Sequence, residues 1–241
     1  MRNKSQINPI FLLMIVVLVF SSYRAGAYSS PHDWLLYKIL VLPGIIIGLS
    51  FHEFAHAWTA WKLHDPTPKM QGRVTINPIA HVDWLGFAAL LFCGFGWGQP
   101  VEINPNNFRK RRRDEFIVSI AGVTMNLIVA LIFAVIARVI LSVVGVTGIA
   151  EGLGSILWQM VMGVITINLV LMIFNLIPVP PLDGFSIIGE IFNLKTTDLY
   201  WNVYNYGNLI LFALIIFNIT DMIISPCVNA LMTLITNVII C

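Results

Sequence analysis

The sequence predicts an all-α polytopic membrane protein with about five to six transmembrane helices and a small re-entrant or interfacial β element. Of its 241 residues, 58% are hydrophobic. Only 11% are charged, against roughly 25% in a soluble domain. The apolar residues are gathered into runs, several of which reach the roughly 20 residues that a spanning helix needs.

The first run, 7–23, follows Arg2 and Lys4 and precedes Ala25-Gly26-Ala27, which resembles a small-residue cleavage site. A cleaved signal and a first helix both fit that pattern. Runs at 35–61, 116–144, 153–178 and 200–224 each suit one span. Two stretches, 84–97 and 228–241, are shorter. Glycines 86, 94, 96 and 98 suit the former to a re-entrant or interfacial segment, and the latter reads as a short terminal helix. Residues 70–76 and 101–103 alternate in part and are β-capable, so they are expected to form the small edge.

Charge placement sets the orientation. Ten of fourteen basic residues precede the first run or lie between the second and third. That side is cytoplasmic by the positive-inside rule. The basic run Arg109 to Arg113 lacks interleaved aromatics and flanks an apolar segment, so it reads as a topology anchor. No nucleic-acid partner is expected; the partner is the lipid bilayer. Cys93, Cys227 and Cys241 are odd in number and widely spaced, which indicates neither a disulfide framework nor a cysteine metal site.

Within the 35–61 run stands His52-Glu53-Phe54-Ala55-His56. Charged and imidazole groups are costly in a membrane helix, so they mark a functional site. Residues four apart share a helix face. Both imidazoles can therefore meet one zinc while Glu53 stands beside a zinc-activated water. His52 lies nine residues before the inner end of the run, or roughly 14 Å at 1.5 Å per residue. The metal is thus expected inside the membrane, nearer the cytoplasm.

A catalytic zinc takes three protein ligands and leaves one position open. His32 falls in the outer loop, His64 after the helix end, and His81 in an interfacial loop. Asp183 closes Asn175-Leu176-Ile177-Pro178-Val179-Pro180-Pro181-Leu182-Asp183-Gly184, where the prolines must break a helix. Asp183 can cap the helix that follows, or it can face the metal; the histidine motif favours the metal.

Together, His52-Glu53-x-x-His56 and Asn175-x-x-Pro178-x-x-Pro181-Leu182-Asp183-Gly184 resemble the site-2 protease family of intramembrane zinc metalloproteases. Gly122-Val123-x-x-Asn126 resembles that family's Gly-Pro-x-x-Asn helix start, with valine for proline. The segment 73–108 is similar to the compact bacterial branch without PDZ or CBS domains. The resemblance covers approximately residues 35–190 of what reads as a single integral-membrane metalloprotease domain, 1–241. It implies one Zn2+ per chain held by His52, His56 and Asp183, with Glu53 as catalytic acid/base. It implies Asn175 as the polar group near the scissile carbonyl. Asn126, in mid-helix, is assigned a structural polar role. The implied substrate is a membrane protein, often single-pass, cut in or near its transmembrane segment at the cell membrane.

Two other classes would use the same residues. A catalytically silent zinc-binding scaffold would tolerate loss of Glu53, which is present. A metal transporter would array ligands along a path, whereas here they cluster. Substrate identity, any prior cleavage and oligomeric state are not encoded legibly.

Overall fold

The computed structural model describes residues 30–93 and 96–241. The 7–23 run lies outside the described residues. The chain is an all-α polytopic membrane fold, with four helices long and apolar enough to cross a bilayer and a fifth candidate formed by a bent pair.

The first described helix, α1 (Pro31–Lys62), starts where Ser30 accepts a hydrogen bond from the Asp33 amide at 3.2 Å and proline takes the first position. It contains the entire 35–61 run. A short turn, α2 (Thr67–Met70), and a ten-residue helix, α3 (Trp84–Cys93), follow. Ten residues rise only about 15 Å, so α3 is too short to span, in keeping with an interfacial or re-entrant segment. The long helix α4 (Arg111–Gly148) and α5 (Gly152–Leu176) complete the central trio with α1.

Packing follows the size of the facing residues. On α4, Ala130, Ala134 and Ala137 are fully buried against α5 and the last helix, whereas Ile132, Val135 and Val139 point outward and are more than half exposed. An apolar outer face and a small-residue inner face are what a bilayer demands, since lipid supplies no hydrophobic drive between helices. Where α1 meets α5, a Cβ on Gly44 would come within 2.9 Å of the Gly163 carbonyl. Only hydrogen fits between those backbones.

After α5 the chain breaks at Ile177 and re-enters helix as α6 (Asp183–Ile191). Two short helices, α7 (Asp198–Asn205) and α8 (Gly207–Ile216), are bent by 55° and form one candidate span together. The last, α9 (Ile219–Ile235), continues through a π turn at Thr236–Ile240 as a 22-residue candidate span. The expected span at 200–224 is therefore corrected. Asn218 adopts φ 59, which no continuous helix allows, and its break divides that run between α8 and α9. The expected short terminal helix at 228–241 becomes the body of a full-length one.

The expected β edge also requires correction, because no strand forms among the described residues. Asp65 accepts hydrogen bonds from the amide and hydroxyl of Thr67, which favours a helical turn over 67–70, and Gly72 then takes φ 72. On the other side, the Val101 amide donates to Glu53 and the Asn104 amide to Asp65. Amides given to carboxylates are lost to a ladder. A side-chain bond from Gln71 to Glu102, at 2.7 Å, ties the two stretches instead.

Candidate metal centre

Four elements build the centre. Helical spacing on α1 stacks His52 over His56, with Nε2 atoms 3.0 Å apart. Asp183, the first residue of α6, brings Oδ2 to 3.2 Å from each Nε2. The broken helix thus projects a carboxylate at both imidazoles. Leu182, not Asp183, occupies the N-cap position, and α6 carries no side-chain cap. Gly184 allows this turn, because a Cβ there would stand 2.3 Å from the Leu176 carbonyl at the end of α5.

The imidazole protons are fixed by what lies behind them. His56 Nδ1 is 2.8 Å from the Val118 carbonyl, which can only accept, so Nδ1 carries the proton. His52 is set by a chain. Asn168 Nδ2 donates to the Val164 carbonyl at 2.8 Å, leaving Asn168 Oδ1 to accept from Asn126 Nδ2 at 3.2 Å. Asn126 Oδ1 then accepts from His52 Nδ1 at 2.7 Å. Asn126 and Asn168 are fully buried.

In the neutral imidazoles both Nε2 atoms therefore present lone pairs, towards each other and towards a carboxylate oxygen that has no hydrogen-bond donor. Three facing lone-pair donors suit a cation. Ligands at about 2.0–2.1 Å from a tetrahedral zinc stand roughly 3.3 Å apart, close to the 3.0 and 3.2 Å observed. The donor set fits zinc, with one tetrahedral position left for another ligand. Among the described residues, this is the one cluster of three such side chains that converges.

Gly122 on α4 forms the wall. A Cβ there would lie 2.4 Å from His56 Nε2 and 2.7 Å from His52 Nε2. Glu53 gives one of its two oxygens to the loop beside the centre, its Oε2 accepting from the Val101 amide at 3.1 Å. The strap that supplies this amide is anchored by Asp65, which is fully buried and also accepts from the Asn104 amide and Asn107 Nδ2, both at 2.7 Å. Burial alone would raise the Asp65 carboxyl, but the hydrogen bonds from Thr67, Asn104 and Asn107 hold it below the usual carboxylate range.

The remaining candidates separate clearly. Asn175 donates one amide proton to the Leu171 carbonyl at 2.9 Å. His81 is tied to its own loop, Nε2 donating to the Thr75 carbonyl at 2.7 Å. Glu190, the other carboxylate on α6, lies at its far end, paired with Lys195 at 2.5 Å. Val118, Asn168 and the Val101 amide were not identified from sequence, and Gly122 was read there only as part of a helix-start motif. Asn168 had a signal: it sits seven residues before Asn175, on the same face of an apolar helix.

A membrane bundle closed on His-Glu-x-x-His and an Asp from a broken helix defines a class of membrane metalloprotease scaffold. The chain is 36% identical over 205 residues to the "Putative zinc metalloprotease YwhC" of Bacillus subtilis (strain 168), covering 82% of this chain and 91% of that one. It is 27% identical to the "Putative zinc metalloprotease Rip2" of Mycolicibacterium smegmatis, over 90% of this chain and 83% of that one. Rip2 of Mycobacterium tuberculosis (strain ATCC 35801 / TMC 107 / Erdman) is also 27% identical, over 77% and 71%. The chain belongs to the site-2 protease family of zinc metalloproteases. No family model matches it, and no solved structure does.

Proposed function

We propose that the chain is an intramembrane zinc metalloprotease that hydrolyses a peptide bond in or beside the transmembrane segment of a membrane-protein substrate. The observation that carries this is the convergence of His52, His56 and Asp183 lone pairs at 3.0–3.2 Å next to Glu53. Zinc held there would supply Lewis acidity and lower the pKa of water from 15.7 towards about 7.

Glu53 takes a proton from the attacking water and returns one to the leaving amide nitrogen. A C–O bond forms, the C–N bond breaks, and the products are a carboxylate and an amine. The Val101 amide holds one Glu53 oxygen and leaves the other for this work. Asn175 has two amide protons and spends one on Leu171; the other serves the oxyanion. Positive charge around α4's start supports an active site nearer the cytoplasmic face.

The substrate is a single-pass protein whose helix opens locally before cleavage. A helical peptide bond is shielded, and exposed backbone in a bilayer costs several kcal/mol per unsatisfied group. Gly, Pro or Asn near the cut lowers that cost.

Comparing membrane proteomes that contain wild type or Glu53→Gln tests the reading. The variant is expected to keep stoichiometric zinc, to lose cleavage by at least about a hundredfold, and to accumulate an uncut substrate. Full cleavage by Glu53→Gln would overturn it. A scaffold predicts no difference between the two proteomes.

A further inference from the structure

Outside the metal centre, the described surface holds a groove of about 530 Å³ where α4 begins. It is lined by Lys110, Arg111, Arg112, Arg113 and Phe116 at the start of α4 and by Glu190 and Ile191 at the end of α6. A topology anchor needs only the charges. Here they are arranged.

Arg112 donates from Nε to the Glu190 carbonyl at 2.5 Å and from Nη2 to the Ile191 carbonyl at 2.6 Å. These are last-turn carbonyls of α6, neutral acceptors that favour a nearby cation. The guanidinium is therefore fixed in place without being neutralised, and three of its five N–H groups remain. Arg111 pairs with Glu115 at 2.8 Å, and Lys195 bridges Glu115 and Glu190. Asp114 accepts from the Lys110 backbone amide at 2.9 Å. Lys110, Arg111, Arg112, Arg113 and Lys195 thus outnumber Asp114, Glu115 and Glu190. The side chains of Lys110 and Arg113 are exposed and make no ion pair among the described residues. Beside them, Ile191 is 50% exposed and Phe116 half-buried.

One fixed guanidinium and two unpaired cations next to apolar side chains, at the charged start of an apolar helix, match an amphiphile with an anionic head. We infer that this groove binds an anionic phospholipid, its phosphate on Lys110, Arg112 and Arg113 and an acyl chain along Phe116 and Ile191. The inference rests on the cytoplasmic orientation of this end, where anionic lipids create a negative surface. It is independent of proteolysis, and its test needs no cleavage.

The full-length protein in detergent is titrated with phosphatidylglycerol, phosphatidylcholine or inorganic phosphate, and bound ligand is counted by native mass spectrometry. Phosphatidylglycerol is expected to bind and phosphatidylcholine to bind far more weakly. Lys110→Gln/Arg113→Gln is expected to lose about thirtyfold in phosphatidylglycerol affinity. Lys62→Gln/Lys69→Gln, with the same change in net charge, is expected to bind as wild type does, and Ile191→Ser to weaken only lipids with full-length chains. Equal losses in the two double variants would overturn the site as diffuse charge attraction. Displacement of the lipid by inorganic phosphate alone would make it a free-anion site, and displacement by an acidic peptide a protein-docking site. Either result overturns the inference.

Discussion

His52 and Asn126 share a buried 2.7 Å hydrogen bond that decides which imidazole nitrogen faces Asp183. The amide cannot turn over, because Asn168 and the Val164 carbonyl fix its orientation from behind. A polar group in mid-helix suggests a structural bond between helices. Its partner here is also the imidazole of His52, one of the three candidate metal ligands.

Asn126→Ala is therefore expected to weaken zinc binding by about 10–100-fold, the usual cost of losing an outer partner of a ligating histidine. Chelator competition on the purified protein measures it. Asn168→Leu is expected to have a smaller effect in the same direction, since it frees Asn126 to rotate without removing it. Wild-type zinc affinity in Asn126→Ala would show that His52 keeps its tautomer by other means.

Gly122→Ala tests the wall of the centre. The added methyl would stand within 2.4–2.7 Å of atoms in both imidazoles, distances that carbon and nitrogen do not tolerate. The rings must move, and a ligand triangle with 3.0–3.2 Å edges does not survive that movement. Zinc content is expected to fall at least about tenfold while helical content measured by circular dichroism stays within error. Retention of full zinc by Gly122→Ala would mean that α4 can withdraw from α1.

The central trio of helices and the histidine pair were legible because apolar runs, and ionisable residues inside them, have few alternatives in a bilayer. Asp183 lies outside any such run and was read from the prolines before it and from the histidine motif; the structure brings the three side chains together as a possible metal site. The boundary at Asn218 was not legible, because a left-handed asparagine leaves no mark in a hydropathy pattern. The small edge failed for a different reason. Alternation at 70–76 and 101–103 says that a strand is feasible, but not that Glu53 and Asp65 compete for its amides. Contributions from backbone, such as Val118's carbonyl, are invisible to residue type altogether.

Asp65 gives a pH prediction. Its four accepted hydrogen bonds hold the carboxyl below its unfolded value, so its stabilisation is complete above that value and is lost as pH falls through the lower, folded one. Asp65→Asn should remove this acid-side dependence and cost about 1.5–3 kcal/mol, the range for a hydrogen bond to a charged group. Hydrogen exchange over 98–107 measures the release of the strap at neutral pH. Unchanged protection there would show that the strap is held from elsewhere.

Val101 separates two roles for the strap. As a sheet edge, residues 101–103 would bind substrate, and proline at Val101 or Val74 would impair capture alike. In the structure, the Val101 amide is instead bonded to Glu53 Oε2 at 3.1 Å, and no strand pairs the two stretches among the described residues. Val101→Pro removes the donor to Glu53, the proposed acid/base, a charged hydrogen bond worth roughly 1.5–3 kcal/mol. The expected result is a fall in kcat of about 10–100-fold, with zinc content and KM close to wild type. Val74→Pro, whose amide serves no such group, should leave kcat nearly unchanged. A rise in KM shared by both variants, with kcat intact, would return the strap to substrate binding and take Glu53's orientation away from Val101.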